Sequence, residues 1–412
     1  MPMAALRDAL SLVLLVAAVI GVGVVCLQAW MLRRHLRAGG APPAIAPRPP
    51  APPISILKPL CGLDDQLAEN LASFAALPYP DYEVVLGVAS ADDPACPIAA
   101  QIVRRWPERF RLVIQRGAPG LNPKVNQLIG LCAAARADVL VISDSNTRVP
   151  PGYLDEIAAQ LADPGVGLVT HPLAGESPRA VPSCGARLDN LHLTATITPG
   201  FVAASTLCGK TYVVGKSMAM RRADLDALGG FQAVKDVLAE DFVLGRLIPA
   251  QLGKRVVLGR AVVACISERR SPVAFAARYA RWSVMQRQCS GLLPYLGLLL
   301  LNPVLLALLA LAVAPSRSAL VGLALVFGVR ALADSVVGRW ARGRALSPLS
   351  LALIPFKELL TGAAWVHGLC TNTIVWRSNR LRVGRGSVLS PAPAARHPTL
   401  PVLPPLGTAG RH

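Results

Sequence analysis

The chain has 412 residues, 53% of them hydrophobic and 16% charged, with a formal net charge of +18. It is too apolar for an ordinary soluble enzyme and too charged through its middle for a plain bundle of membrane spans. Arginine supplies most of the positive charge, since only seven positions are Lys, and beside long apolar runs this balance points to a membrane face rather than to nucleic acid. The nine Cys show no C-x-x-C and no metal-like spacing with His, which suits small buried side chains in a reducing compartment.

In chain order, residues 9–32 contain no charge and are followed at once by Arg33, Arg34, His35 and Arg37. A signal peptide carries its positive charge before the apolar run, so this segment reads as an uncleaved transmembrane anchor whose C-terminal side is cytoplasmic. Residues 33–53 form a basic and then Pro-rich linker, ending in APPAIAPRPPAPP, a stiff polyproline-like spacer.

From residue 54 to 270 the pattern is that of an α/β domain. Short β-rich runs, ISIL (54–57), YEVVLGVA (82–89), FRLVIQ (110–115), DVLVIS (138–143) and VGLVTH (166–171), alternate with helical stretches at 65–77, 97–106 and 124–136. Such alternation predicts a mostly parallel central sheet covered on both faces, with ligands beyond the carboxyl ends of the strands.

Residues 271–289 predict an interfacial helix, and 290–316 a transmembrane helix interrupted by Pro294 and Pro303. The segment 318–338 is a poorer span that carries Arg330 and Asp334, and 349–371 holds Pro355, Lys357 and Glu358. The basic stretches at 338–344 and 376–385 both belong in the cytoplasm by the positive-inside rule, which makes 349–371 re-entrant or interfacial; a true span would put the tail at 376–412 outside.

Polar residues at the strand ends are the first chemical candidates. Asp144 and Asn146 form a D-x-N after a buried run, and two oxygen ligands at that spacing suit Mg²⁺ or Mn²⁺ together with substrate phosphates, although D-x-N is also an ordinary turn. Asp92 and Asp93 follow the second strand, with Asp93 placed to cap a helix. Lys124, in NPKVNQL, stands at a helix start, where backbone N–H groups and an ammonium favour a phosphate. Glu240 and Asp241 sit in a helix flanked by apolar residues, a setting that raises a carboxyl pKa and makes a general base. Arg278, Arg281 and Trp282 share one helical face.

In order, Asp92, then Asp144-Ser145-Asn146, then Glu240-Asp241, then Arg278-x-x-Arg281-Trp282 resemble the D, D, D, (Q/R)xxRW series of membrane glycosyltransferases. ISILKPLCGLDDQLAENLASFAALPYPDYEVVLGVASADDPA and LNPKVNQL resemble the ceramide glucosyltransferase family in particular, over residues 54 to 287. The resemblance implies a GT-A (nucleotide-diphospho-sugar transferase) fold and inverting transfer of a hexose, typically from UDP-glucose, to a membrane lipid such as ceramide. It implies that Asp92 contacts the nucleotide's base or ribose, that Asp144 holds a metal-diphosphate and that Asp241 is the catalytic base. Arg278, Arg281 and Trp282 would bind the diphosphate and line the acceptor site, with Lys124 assisting the nucleotide. Position 146 departs from the family's second Asp, which weakens the divalent cation site. Rival readings are another lipid acceptor (a hopanoid or diacylglycerol), UDP-N-acetylglucosamine as donor, a processive polysaccharide synthase, or a non-catalytic scaffold. The expected location is a bacterial inner membrane, with the catalytic domain cytoplasmic and the bilayer and a UDP-sugar as partners.

Overall fold

The computed structural model describes residues 3–38, 51–178, 181–209, 212–376 and 379–392. The five predicted runs become β1 (Ile54–Pro59), β2 (Tyr82–Val88), β3 (Phe110–Ile114), β4 (Val139–Ser143) and, after the short β5 (Thr147–Arg148), β6 (Val166–Thr170). They are joined by β7 (Leu173–Glu176), β8 (Ser217–Arg221), β9 (Arg255–Leu258) and β10 (Val263–Ile266). A seven-stranded sheet runs in the order β3-β2-β1-β4-β8-β6-β9. All its neighbours are parallel except β8, which lies antiparallel between β4 and β6. The sheet is therefore mixed but mostly parallel.

Alternation along each strand explains why these runs read as almost continuously apolar. In β4, Val139 and Val141 enter one core, and Leu140 and Ile142 the other; β1 divides likewise, with Ile54 and Ile56 opposite Leu57. Helices α2 (Leu67–Ala72), α3 (Ala95–Arg105) and α5 (Tyr153–Leu161) cover the first face. Helices α4 (Pro123–Ala134), α8 (Arg222–Ala227) and α9 (Glu240–Leu252) cover the second. Both faces are dry, so polar side chains of the sheet gather at its open edge.

The apolar helices form a second layer. Helix α1 (Met3–Arg37) and α13 (Arg317–Arg342) are long and apolar enough to cross a membrane, with mean hydropathies of 3.0 and 1.9. The 290–316 region is not one continuous helix: Leu292–Leu301, which opens with α11 (Leu292–Gly297), meets α12 (Pro303–Val313) at 79°. Pro303 brings no N–H to the break, and the freed amides of Val304 and Leu305 donate to Glu358 Oε2 at 2.7 and 3.1 Å. Helix α12 runs antiparallel to α1, since Ser11 Oγ donates to Ala310 O at 3.0 Å while Gly21 packs against Pro303. Helix α13 runs parallel to α1, with Gly322 against Leu15 near one end and Arg33 over the Trp340 ring at the other.

A ladder of elements ties this layer to the sheet domain. Helix α6 (Cys184–His192) passes through a π-helical turn at Leu193–Ile197 into α7 (Thr198–Cys208). Leu191 and Ala195 pack in one cluster with Ala18, Leu32, Val304 and Val326. Helix α10 (Pro272–Ser290) lies along α15 (Ile354–Cys370), which follows the short α14 (Pro348–Ala352). The chain then returns to the sheet domain as an antiparallel three-stranded unit, β11 (Thr373–Trp376), β12 (Asn379–Val383) and β13 (Leu389–Pro391). There Leu238 N donates to Ser387 O at 2.8 Å and Leu389 N to Asp236 O at 2.7 Å. Most of the expected Pro-rich linker (39–50) and the end of the tail (393–412) lie outside the described residues.

The charges that made 318–338 look a poor span are paired and buried. Arg330 Nε lies 3.0 Å from Asp334 and 3.8 Å from Glu358, and Lys357 Nζ lies 3.8 Å from Glu358, all four side chains being fully buried. Removing one member strands its partner's charge. Asp334→Ala is expected to cost about 3–5 kcal/mol of stability, read as a lower midpoint of thermal unfolding in detergent, with Asp334→Asn intermediate.

Candidate active site

Asp144 emerges where β4 ends, and two ammonium groups hold it. Lys124 Nζ is 3.1 Å from Oδ1 and Lys216 Nζ is 2.9 Å from Oδ2. The second contact follows from strand pairing: β4 and β8 are antiparallel with Ser143 opposite Ser217, so the next pair outward is Asp144 and Lys216. Lys216 also donates to Asn146 Oδ1 at 2.8 Å. Burial opposes the charge on Asp144, but the two lysines outweigh it and hold the carboxyl well below the usual carboxylate range.

Beneath this group the buried Lys58 donates to Ser143 Oγ at 3.0 Å and to the Asp144 carbonyl at 2.9 Å, with its ammonium over the Phe74 ring. Burial lowers the Lys58 ammonium to about 7 against the pull of Asp144. Its bonds fix the turn that carries Asp144.

Lys124 links Asp144 to a second pair of carboxylates. Its Nζ lies 3.0 Å from Glu240 Oε1 and donates to Gly215 O at 2.9 Å. Asn122 caps α4 by accepting from the amides of Lys124 and Val125, and its Nδ2 donates to Glu240 Oε2 at 3.2 Å. Burial opposes the Lys124 charge, yet Asp144, Glu240 and Asp241 together raise its pKa above the ordinary range.

Asp241 stands beside this bridge at the start of α9. Its Oδ2 accepts from Gly215 N at 2.6 Å and its Oδ1 from Phe242 N at 2.8 Å. A Cβ at 215 would lie 2.9 Å from Asp241 Oδ2 and 3.0 Å from Lys124 Nζ, so a larger residue there would displace the tips of both side chains. Burial and the adjacent Glu240 carboxylate push the Asp241 carboxyl up to about 6. A half-buried carboxylate with free lone pairs and that pKa is equipped to take a proton near neutral pH.

The other expected residues divide. Asp92 is exposed beyond β2, while Asp93 is the capping residue, its Oδ1 accepting from Gly62 N and Ala95 N at 2.9 and 2.8 Å. On α10, Arg278 turns to Asp189, 3.1 Å from Oδ2, and lies 5.0 Å from the centre of the Trp282 ring. Asp189, almost fully buried, also takes Arg270 at 3.2 Å and the Tyr279 hydroxyl at 3.0 Å. Arg281 is half-buried on the same helix. So Asp144, Asn146, Lys124 and Asp241 form one group, whereas Arg278 and Trp282 belong to a second, centred on Asp189.

The cation expectation divides in the same way. Among the described residues no three His, Cys, Asp or Glu side chains are grouped to hold a metal ion. Asn146 is occupied at both ends, its Oδ1 by Lys216 and its Nδ2 by the carbonyl of Ile266 at 3.1 Å. Asp144 is the one carboxylate of that D-x-N, and with Oδ1 held by Lys124 and Oδ2 by Lys216 it would take a divalent cation only by giving up an ammonium to it.

Lys216, Asp189 and Gly215 were absent from the sequence expectation. The period-two run in GKSMAMR, with Lys at its head, was the available signal for Lys216. Asp189 offered none, since its partners on α10 lie 89 and 90 residues away.

The model of the family described as glycosyl transferase family 21 matches residues 13–389. Ceramide glucosyltransferase 1 of Caenorhabditis elegans is 23% identical over 372 residues, 83% of this chain and 74% of the relative. Ceramide glucosyltransferase 3 of the same organism is 26% identical over 368 residues, 82% of this chain and 74% of the relative. Among solved structures the chain is similar to the mannosyltransferase PcManGT from Pyrobaculum calidifontis in complex with GDP-Man and Mn2+, at 21% identity and a TM-score of 0.44, over 88% of this chain and 99% of that one. That similarity is too distant to bear on the site. With the match running from the first apolar helix through the sheet domain to the last strand, the chain belongs to glycosyl transferase family 21, the ceramide glucosyltransferase family, and is a glycosyltransferase.

Proposed function

We propose that this glycosyltransferase moves a hexose, glucose from UDP-glucose, to the hydroxyl of a membrane lipid, ceramide, with inversion at the anomeric carbon. The observation that carries this reading is the Asp241 carboxyl, raised to about 6 beside the lysine-bound Asp144 at the open edge of the sheet. Inversion needs one base. Asp241 takes the proton of the acceptor hydroxyl as that oxygen bonds to the anomeric carbon, and the bond from that carbon to the nucleoside diphosphate breaks on the opposite face. Lys124 and Lys216 lie where the departing diphosphate's charge collects, beside Asp144. A divalent cation held by Asp144 would share that neutralisation when bound. Asp92, exposed past β2, is assigned to the nucleoside, and Arg281 and Trp282 to the acceptor side.

The membrane arrangement is part of the proposal. Helices α1 and α13 run parallel and α12 opposes them, so the bent pair supplies the return crossing between two inward-running helices. Ser387 and Leu389 bond to residues 236–238, so α14 and α15 begin and end on the catalytic side. That supports an interfacial segment at 349–371 and a cytoplasmic catalytic domain. The Ala/Arg-rich composition favours a bacterial inner membrane.

Four outcomes test the reading. Membranes given labelled UDP-glucose and ceramide should yield a labelled hexosyl lipid by mass spectrometry; no sugar-lipid product with any donor refutes lipid glycosylation. Asp241→Asn should lower turnover by about 10²–10⁴-fold while UDP binding persists. In the wild type, kcat/KM should fall about ten-fold per pH unit below the Asp241 value of about 6 and level off above it, because the working base is the deprotonated form. A reporter fused after Ala392 should read on the same side as the catalytic domain, and a signal from the opposite side removes the interfacial reading of α15.

A further inference from the structure

A small open cleft of about 60 Å³ lies between α10, the π-helical turn, the broken helix and α15. Four features of different origin meet there. The π-helical turn contributes Thr196, and such turns concentrate at functional sites. The 79° break contributes Asn302, and interrupted helices at membrane depth persist where they line a cavity. Helix α15 contributes Thr361 and Trp365, and α10 contributes Tyr279 and Trp282. The Trp282 indole is thus shared between this cleft and Arg278, whose charge feels Asp144.

The polar lining is built rather than incidental. Asn302 is 7% exposed, and its Oδ1 accepts from Thr361 Oγ1 at 2.6 Å, which directs the amide N–H₂ away from Thr361. Glu358 bonds the first amides of α12 and so holds the break that presents Asn302. His192 is also 7% exposed, stands 4.4 Å from the Tyr279 ring, and its Nδ1 has no hydrogen-bond partner. Burial, with the nearby cations Lys357, Arg330 and Arg278, keeps His192 well below its usual range and hence neutral, with one nitrogen able to accept. One wall therefore offers a donor amide and another a neutral imidazole, amid aromatic and Leu side chains.

We propose that this cleft is the subsite for the amide linkage of the acceptor lipid, with Asn302 Nδ2 donating to the lipid's amide carbonyl and His192 accepting from its amide N–H. A secondary amide presents that pair of complementary groups; an ester lacks the N–H and a hopanoid lacks both. The inference rests on the lipid-acceptor reading above and deepens it by assigning what selects a ceramide.

The test uses the full chain in detergent–lipid micelles, with UDP-glucose and either short-chain ceramide or its N-methyl amide analogue. Wild type should show a KM about ten-fold higher for the N-methyl lipid. Asn302→Leu should raise the ceramide KM by about ten-fold and leave the KM for UDP-glucose unchanged. His192→Phe should erase the preference against the N-methyl lipid. An unchanged ceramide KM in an Asn302→Leu enzyme that still binds UDP overturns the assignment, as do equal wild-type KM values for the two lipids. The wild-type comparison decides by itself if the variants misfold. A wild type that glucosylates other lipids but no ceramide refutes the ceramide reading instead, a result distinct from ceramide turnover without discrimination.

Discussion

One ammonium organises the site. Among the described residues Lys124 alone is ion-paired with both Asp144 at the mouth of β4 and Glu240 at the head of α9, and it reaches both from the first turn of α4. Without it, three carboxylates would face one another in a half-dry pocket, and the cost of burying them would pull the elements apart. With it, each of the three elements has a fixed distance to the other two. The same bridge divides the acids into unequal roles. Asp144 has two cations that outweigh its burial and stays ionised, whereas at Asp241 burial and the Glu240 charge outweigh Lys124 and two backbone amides, and its pKa rises. Two acids of similar chemistry are thereby driven to opposite ends of the titration range.

The bridge depends on backbone geometry as much as on charge. Asn122 ends the loop before α4, and its own amide donates to the carbonyl of Lys235, so the start of α4 and the segment leading to α9 are tied together directly. Gly120 packs against the backbone of Lys235 so closely that any side chain there would collide. Gly215 leaves room for the tips of Asp241 and Lys124, which a side chain there would displace. The electrostatic arrangement is therefore held in part by a close backbone approach at Gly120 that larger residues forbid.

What the sequence disclosed follows from range. The run at 139–143 announced a strand because both its faces are covered, and Asp144 was legible as its polar end. Asp241 was legible because apolar neighbours forecast its burial. Lys216 was not, because its place opposite Asp144 comes from an antiparallel partner inserted into a sheet that otherwise reads as parallel. The break at Asn302 was half legible: Pro303 marked the position, but the 79° turn is held by Glu358, which lies 54 residues beyond Val304. Arg278 was placed on the right helix, and its direction was set by Asp189, a residue with no local signature.

The three-stranded unit at 373–391 carries a temporal consequence. The amides of Leu238 and Ala239, immediately before α9, find their acceptors on Ser387, and the carbonyl of Asp236 finds its donor on Leu389. Those partners leave the ribosome after every apolar helix of the described chain. During synthesis the sheet domain can fold early, with residues 235–237 already bonded to Leu121 and Asn122, but the amides of Leu238 and Ala239 wait for the last strands. The head of α9 is therefore completed only after the apolar helices have been made.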